Sequence, residues 1–358
     1  MNDLFEIAPY KLDANAKKVF LLSRLNELTV SHLRDCDIYK QLGSNLDFTS
    51  RAQSLCEVPF IPVQIFKSHK LVSKSSDLII KTLTSSGTTG DAVSRVFLDK
   101  ETANLQTKAL ASIMKDYLGK KRLPMIILDT KSVFKNRAEF SARGAGILGM
   151  ANFGRDHIYA LNENMSLDYK SLEEWLCKYR GKQKLIFGFT FMVWKHLYEY
   201  CKMNKVKLDL EGCTLIHSGG WKKLIEQQVS NGKFKSSLEK QFGIKRVHNF
   251  YGMVEQIGSI YMECEAGRLH TSNYGEIIIR NYRNWQPLEN GKIGVIQVLS
   301  ALPQSYPGHS ILTEDLGTIT GVDDCPCGRM GTTFIVNGRI PKADMRGCSD
   351  TYAADSAS

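Results

Sequence analysis

The chain has 358 residues, 43% of them hydrophobic, with 47 basic against 37 acidic side chains and a net charge of +10. That is enough apolar content for a full core and too much for a disordered protein, and the length suits one large domain or two. No run of about 18 apolar residues occurs, so no membrane insertion is expected. No basic stripe interleaved with aromatics and no zinc-finger pattern points to nucleic acid. The start, MNDLFEIAPYK, has acids where a signal peptide needs a basic region, so a cytoplasmic location is expected. The nine cysteines are then reduced, and any special ones are metal ligands or nucleophiles. The positive charge reads either as lysines on solvated helix faces or as attraction for an anionic ligand or acidic partner.

Residues 12–42 alternate apolar and polar at helical spacing and predict one or two amphipathic helices packing on the body. Pro59 and Pro62 mark an extended linker, so residues 1–60 form an N-terminal helical segment. Four short apolar runs follow, at Pro124–Leu128, Lys184–Phe187, Thr214–Ile216 and Arg246–Phe250, each ending in a polar or glycine-rich turn. Between them lie helical patterns such as Ser171–Lys178, Val193–Asn204 and Ser236–Phe242. Strands alternating with helices predict an α/β fold with a parallel sheet, whose ligands sit at the carboxyl ends of the strands. Beyond about residue 270, Glu276–Arg280, Gly294–Ser300 and Thr332–Val336 read as strands without long helices, a small antiparallel β-subdomain.

Three motifs carry chemistry. Thr84-Ser85-Ser86-Gly87-Thr88-Thr89-Gly90 joins hydroxyl donors to glycines that let backbone N–H groups turn inward, which suits a triphosphate. It is not a Walker loop, because no lysine follows the second glycine. The plain alternative is a hydroxyl-rich surface turn. Asn249-Phe250-Tyr251-Gly252-Met253-Val254-Glu255 puts a carboxylate just past a strand end, where it can hold Mg²⁺ or be a solvated charge. In Thr313-Glu314-Asp315, the aspartate can accept from both ribose hydroxyls, or the stretch is an acidic turn.

In this order the three resemble the adenylate-forming superfamily of acyl and aryl ligases. His217-Ser218-Gly219-Gly220-Trp221-Lys222 matches the glycine-rich stretch that lines the adenine pocket there. Over roughly residues 50–350 the chain resembles more closely the bioluminescence acyl-protein synthetases (LuxE) and their non-luminous relatives. The resemblance implies ATP and Mg²⁺, with Glu255 on the metal. It assigns the nucleotide to Ser85, Ser86, Gly87, Thr88, Thr89 and Gly90, to Ser218, Gly219, Gly220 and Trp221, to Tyr251, Gly252 and Met253, and to Asp315 and Arg339. After Gly90 the chain departs from the wider superfamily, which often has a proline-lysine pair there; Arg95 stands nearest as a phosphate partner.

Asn337-Gly338-Arg339 and Asp344-Met345-Arg346-Gly347 look like the hinge before the mobile lid domain of larger relatives. Here a short tail with Cys348 stands in its place. A cysteine between glycine and serine beside basic residues is accessible and favours the thiolate, though it can equally be an incidental tail thiol. In the bioluminescence synthetases a cysteine this near the end carries the activated acyl group. Cys348, Glu255 and Lys342, the last in the hinge stretch, are the expected catalytic residues.

Cys264 and His270, with Cys325 and Cys327, offer four ligands from two hairpin-like places for a structural zinc, or are four unrelated reduced side chains. Phe189 and Thr190 can line an acyl pocket or belong to plain core, and His248 is a pocket candidate or a satisfied core histidine.

The reading is a 61–336 adenylation domain followed by a 337–358 vestigial hinge and acyl-accepting tail. It activates a carboxylic acid, fatty by resemblance, to acyl-AMP and transfers it to its own cysteine for delivery to an acyl reductase (LuxC-like) partner. The alternatives are a ligase using free coenzyme A and a non-catalytic nucleotide-binding scaffold.

Overall fold

The computed structural model describes residues 2–85, 93–134, 142–221, 226 and 228–340. Helix α1 spans Asn2–Glu6, α2 Ala14–Asp35 and α3 Asp37–Asn45. Asp13 caps α2, its carboxylate accepting from the Ala16 N–H at 2.8 Å. The buried face of α2 runs through Lys17, Leu21, Leu25, Leu28 and His32, the three-to-four spacing read from the sequence.

The strands are β1 (Ile61–Pro62), β2 (Ile79–Thr84), β3 (Arg95–Asp99), β4 (Leu123–Ile127), β5 (Gly154–Tyr159), β6 (Lys184–Phe189), β7 (Cys213–Ser218) and β8 (Arg246–Tyr251). They continue with β9 (Tyr261–Glu263), β10 (Leu269–His270), β11 (Gly275–Arg280), β12 (Gly294–Ser300), β13 (Ser310–Val322) and β14 (Thr332–Arg339). Helices α4 (Ile65–Ser68), α5 (Lys100–Leu118), α6 (Ala142–Ala151), α7 (Tyr169–Lys178) and α10 (Asn231–Phe242) lie between them. After β6, α8 (Thr190–Met192) passes through a π-helical stretch, Val193–Glu199, into α9 (Tyr200–Met203).

One mixed sheet organises the molecule, in the order β11-β12-β13-β14-β10-β9-β8-β7-β6-β4-β5, with β1 paired to β13. From β8 to β5 the pairing is parallel. From β9 to β11 it is antiparallel, and the direction switches at β8/β9. The antiparallel strands thus lie on the edge of the α/β body as expected, continuing the parallel strands in one sheet. Strands β2 and β3 pair antiparallel as a separate two-stranded sheet.

Strands β6 and β7 are buried residue after residue up to their last position, because both their faces are covered. One layer holds Leu215, Trp194 and Phe234, the other Ile216, Phe187 and Ile147 of α6. The α2 face packs Leu21 and Leu25 on Ile278 and Leu299 of the antiparallel strands. No described helix is long and apolar enough to cross a membrane.

Candidate active site

Four separated segments meet at the carboxyl ends of β7 and β8. The β2–β3 pair is clamped just beyond Thr84 and Arg95: the Ser85 N–H donates to the Ser94 carbonyl at 3.0 Å, and the Ser94 N–H donates to Ser85 Oγ at 2.9 Å. Ser86, Gly87, Thr88, Thr89 and Gly90 lie outside the described residues. Arg95 is exposed at the start of β3.

Glu255 sits in a short 3₁₀ turn, Val254–Gln256, directly after β8 and is 5% exposed. Burial raises its carboxyl above the usual range, and the facing Ser94 hydroxyl pulls the other way. The turn is pinned to the body. The Tyr306 hydroxyl donates to the Glu255 carbonyl at 2.9 Å, and Gln256 Nε2 donates to the Gly308 and Val298 carbonyls. Gly252 and Met253 form the short link between Tyr251 and this turn.

Asp315 is not in a turn; it lies within the thirteen-residue strand β13, opposite Arg339 of β14. Its Oδ2 accepts from the Tyr251 hydroxyl at 2.7 Å, and Arg339 Nε is 3.5 Å from Oδ1. Burial, and next the Asp315 charge, push the Tyr251 phenol well above its usual range, so it remains a donor. This pair ties the end of β8 to the ribose candidate.

Ser218 ends β7 in register with Phe189 of β6 and Phe250 of β8. Gly219 follows at φ +82°, where a side chain is strained, and an added β-carbon would come within 3.3 Å of the Phe189 ring. Trp221 is buried against Trp194, ring centroids 5.7 Å apart. Lys222, Lys342 and Cys348 lie outside the described residues.

The Thr190 hydroxyl lies 3.2 Å from the Ser218 carbonyl and 2.9 Å from His217 Nδ1. If the hydroxyl donates to the carbonyl, it accepts from Nδ1–H, which leaves Nε2 bare. His217 is buried, and its pKa falls to about 3 through burial, so the ring is neutral. His248 is also buried, but it faces the Tyr117 ring at 5.0 Å and has Nδ1 on the Glu263 carbonyl, away from Thr190. The sequence reading overlooked Glu263, whose buried carboxylate accepts the Asn249 N–H at 3.0 Å and meets Lys235 at 3.0 Å. Its only local signal was a charge in an otherwise apolar strand, Tyr261–Glu263.

Cys264, His270, Cys325 and Cys327 do come together, with all four ligand atoms within 4.8 Å of one another. Cys264 follows β9, His270 ends β10, and the Cys325–Cys327 turn joins β13 to β14. Cys264 Sγ is 3.7 Å from Cys325 Sγ, and Cys327 Sγ is 3.4 Å from His270 Nε2. A tetrahedron with Zn–S of about 2.3 Å and Zn–N of about 2.0 Å has edges of about 3.8 Å and about 3.5 Å. The donor set and its spacing fit zinc.

The acyl-protein synthetase (LuxE) family model matches residues 1–355. A long-chain-fatty-acid–luciferin-component ligase of Aliivibrio fischeri is 21% identical, covering 98% of this chain and 92% of its own. Its counterpart from Vibrio harveyi is 22% identical over 89% of this chain and 83% of its own. Among solved structures, an open conformation of a 2-hydroxyisobutyryl-CoA ligase with 2-HIB-AMP and CoA superposes with a TM-score of 0.71. At 18% identity, over 94% of this chain and 77% of that one, it shows a shared fold. With the family model spanning nearly every residue, the chain belongs to the acyl-protein synthetase (LuxE) family of ligases.

Proposed function

We propose that the protein activates a carboxylic acid with ATP and then takes the acyl group onto Cys348 as a thioester. What carries this reading is the convergence of Ser85–Ser94, Ser218–Gly220, Tyr251–Glu255 and Asp315–Arg339 at one strand edge, in a chain of this family. Ligands of open α/β sheets lie outside such carboxyl ends.

A carboxylate is a poor acyl donor because its leaving group would be oxide. In the first half-reaction a carboxylate oxygen attacks the α-phosphorus and pyrophosphate leaves, giving a mixed anhydride with a good leaving group. The hydroxyl- and glycine-rich 85–90 motif is assigned to the phosphates, and Asp315, with Tyr251 and Arg339 holding its two oxygens, accepts from the ribose hydroxyls. Gly219 and Gly220 leave flat space for the adenine. Glu255 would hold Mg²⁺, which offsets phosphate charge when bound. In the second half-reaction the Cys348 thiolate attacks the acyl carbonyl and AMP departs, with Lys342 assigned to the same step. The residue division at 60 and 336 follows from this assignment, as does delivery of the acyl group to an acyl reductase. The Cys264, His270, Cys325 and Cys327 cluster holds zinc in a structural role.

Carboxylate-dependent ATP–pyrophosphate exchange tests the first half. ATP-dependent acylation of the protein without coenzyme A, read by intact mass and removed by neutral hydroxylamine, tests the second. Cys348→Ser should keep exchange and lose the hydroxylamine-labile mass, since a serine hydroxyl is hardly ionised at neutral pH. A retained labile mass would place the acyl group elsewhere.

A further inference from the structure

Beyond the nucleotide site, the same sheet edge carries an ion pair with no part in the chemistry above. Ile127 of β4 and Phe187 of β6 are paired in register, and Asp129 and Phe189 lie two residues further on in each chain. Alternation along β6 keeps Phe189 on the same face as Phe187, the face that packs on α6, and Asp129, just past the end of β4, stands on that side because its carboxylate meets Arg143 of α6. Phe189 in turn aligns with Ser218, and Ser218 with Phe250. A row of Asp129, Phe189, Ser218 and Phe250 therefore runs along the strand ends, starting beside the nucleotide candidates. Helix α6 roofs it: a β-carbon at Gly146 would lie 3.2 Å from Phe189 Cζ. Arg143, one turn earlier on α6, reaches Asp129, its Nε 3.1 Å from Oδ2.

The Asp129 side chain is 1% exposed and that of Arg143 33%, so the pair closes the row from the inside. Oδ1 of Asp129 is satisfied by the Thr130 N–H at 2.7 Å. The contact to Arg143 is an ion pair without hydrogen-bond alignment. Among the described residues, Asp129 Oδ2 and Arg143 Nε both lack a hydrogen-bond partner. One is a buried acceptor and the other a buried donor, side by side. Leaving both unmade costs about 1–3 kcal/mol each. A hydroxyl satisfies both at once, donating to the carboxylate and accepting from the guanidinium. A methyl group satisfies neither, and a second carboxylate meets the charge of Asp129.

We propose that the acid activated here carries a hydroxyl group toward its far end, set beside the ion pair and hydrogen-bonded to both Asp129 Oδ2 and Arg143 Nε. This rests on the adenylation reading and deepens it by naming the substrate class. An acyl group bound with its carboxylate near Ser218 crosses two strand spacings, about 10 Å, to reach the pair.

The test is pyrophosphate exchange on the full chain with acids from hexanoate to decanoate, each with a methyl, hydroxyl or carboxylate terminus. A site built to bond a substrate hydroxyl discriminates far more strongly than apolar packing does. At the length that reaches the pair, the hydroxy acid should exceed the methyl acid by about a hundredfold in kcat/KM, with the dicarboxylate poorest. Arg143→Met should bring the hydroxyl-to-methyl ratio down to a few-fold, and Arg143→Lys should keep part of it. Methyl-ended acids matching the hydroxy acids at every length would overturn the inference. So would a preference that persists in folded Arg143→Met. Exchange with methyl acids alone would leave adenylation standing while sinking this assignment. Silence from every acid of the panel would overturn this inference, and adenylation itself would fall only if long-chain fatty acids were silent as well.

Discussion

Lys17 is a lysine that the fold has buried, 1% exposed on helix α2. Its Nζ lies 2.7 Å from Glu276 Oε2 and donates to Thr271 Oγ1 at 2.6 Å, bolting the N-terminal helix to strand β11. Replacing it by methionine keeps the volume but strands the Glu276 carboxylate, which among the described residues retains the Ile277 N–H at 3.0 Å. Removing one member of a buried pair costs about 3–5 kcal/mol. The surviving N–H puts this case near the lower end, about 3 kcal/mol. With an unfolding entropy of about 2.1 cal/mol/K per residue over 358 residues, that is about 0.75 kcal/mol per degree, or a Tm about 4 °C lower. The double variant Lys17→Met, Glu276→Gln removes both charges and should recover most of the loss. Circular-dichroism melts at one scan rate give all three values. A Lys17→Met shift below about 1 °C, or a double variant less stable than the single, would refute the reasoning.

Other outcomes follow from the site and core. Asp315→Asn should raise the KM for ATP in pyrophosphate exchange, and Tyr251→Phe should do so more weakly; unchanged KM in both would remove Asp315 from the nucleotide site. Protein purified without added metal should contain one zinc per chain, with an X-ray absorption spectrum of three sulfurs and one nitrogen, and Cys325→Ser should lower both zinc content and Tm. Stability should fall on acidification. Burial lowers His32 to about 3, with Arg24 and Lys74 pushing the same way against the Pro303 carbonyl and Asp35, and it lowers His217 to about 3. The folded state therefore binds fewer protons than the unfolded one between about pH 6.5 and 3, so stability is full above about 6.5 and declines below it. Each histidine contributes at most about 1.4 kcal/mol per pH unit, and His32→Gln should flatten the urea-midpoint profile if it folds. A profile flat from pH 7 to 4.5 in the parent protein would contradict these shifts.

Strands β4, β6, β7 and β8 were legible in the residues because each is a short apolar run ended by a glycine or polar turn, and that signal is local. The same holds for the α2 stripe and for the chemistry of Ser85–Gly90, Tyr251–Glu255 and Asp315, which depends on residue type and order along the chain. Helix α5 went unread although Asp99 and Thr102 mark its start, the Asp99 carboxylate accepting the Thr102 N–H at 2.8 Å. Here a local signal was present and overlooked. The stretch around Asp315 read as a turn because its glycine and acids are turn residues; pairing with β12 and β14 on either side draws it into a long strand. Strand pairing is a choice among distant partners, so the joining of parallel and antiparallel strands into one sheet has no trace in any window of the chain. Ion pairs obey the same limit. Lys17 meets Glu276 across most of the chain, and Asp129 meets Arg143 through a helix that happens to roof the sheet. Sequence alone determined which chemistry the chain carries and roughly where its elements begin. Which side chains leave water together was decided by tertiary packing, because burial is a property of the assembled layers.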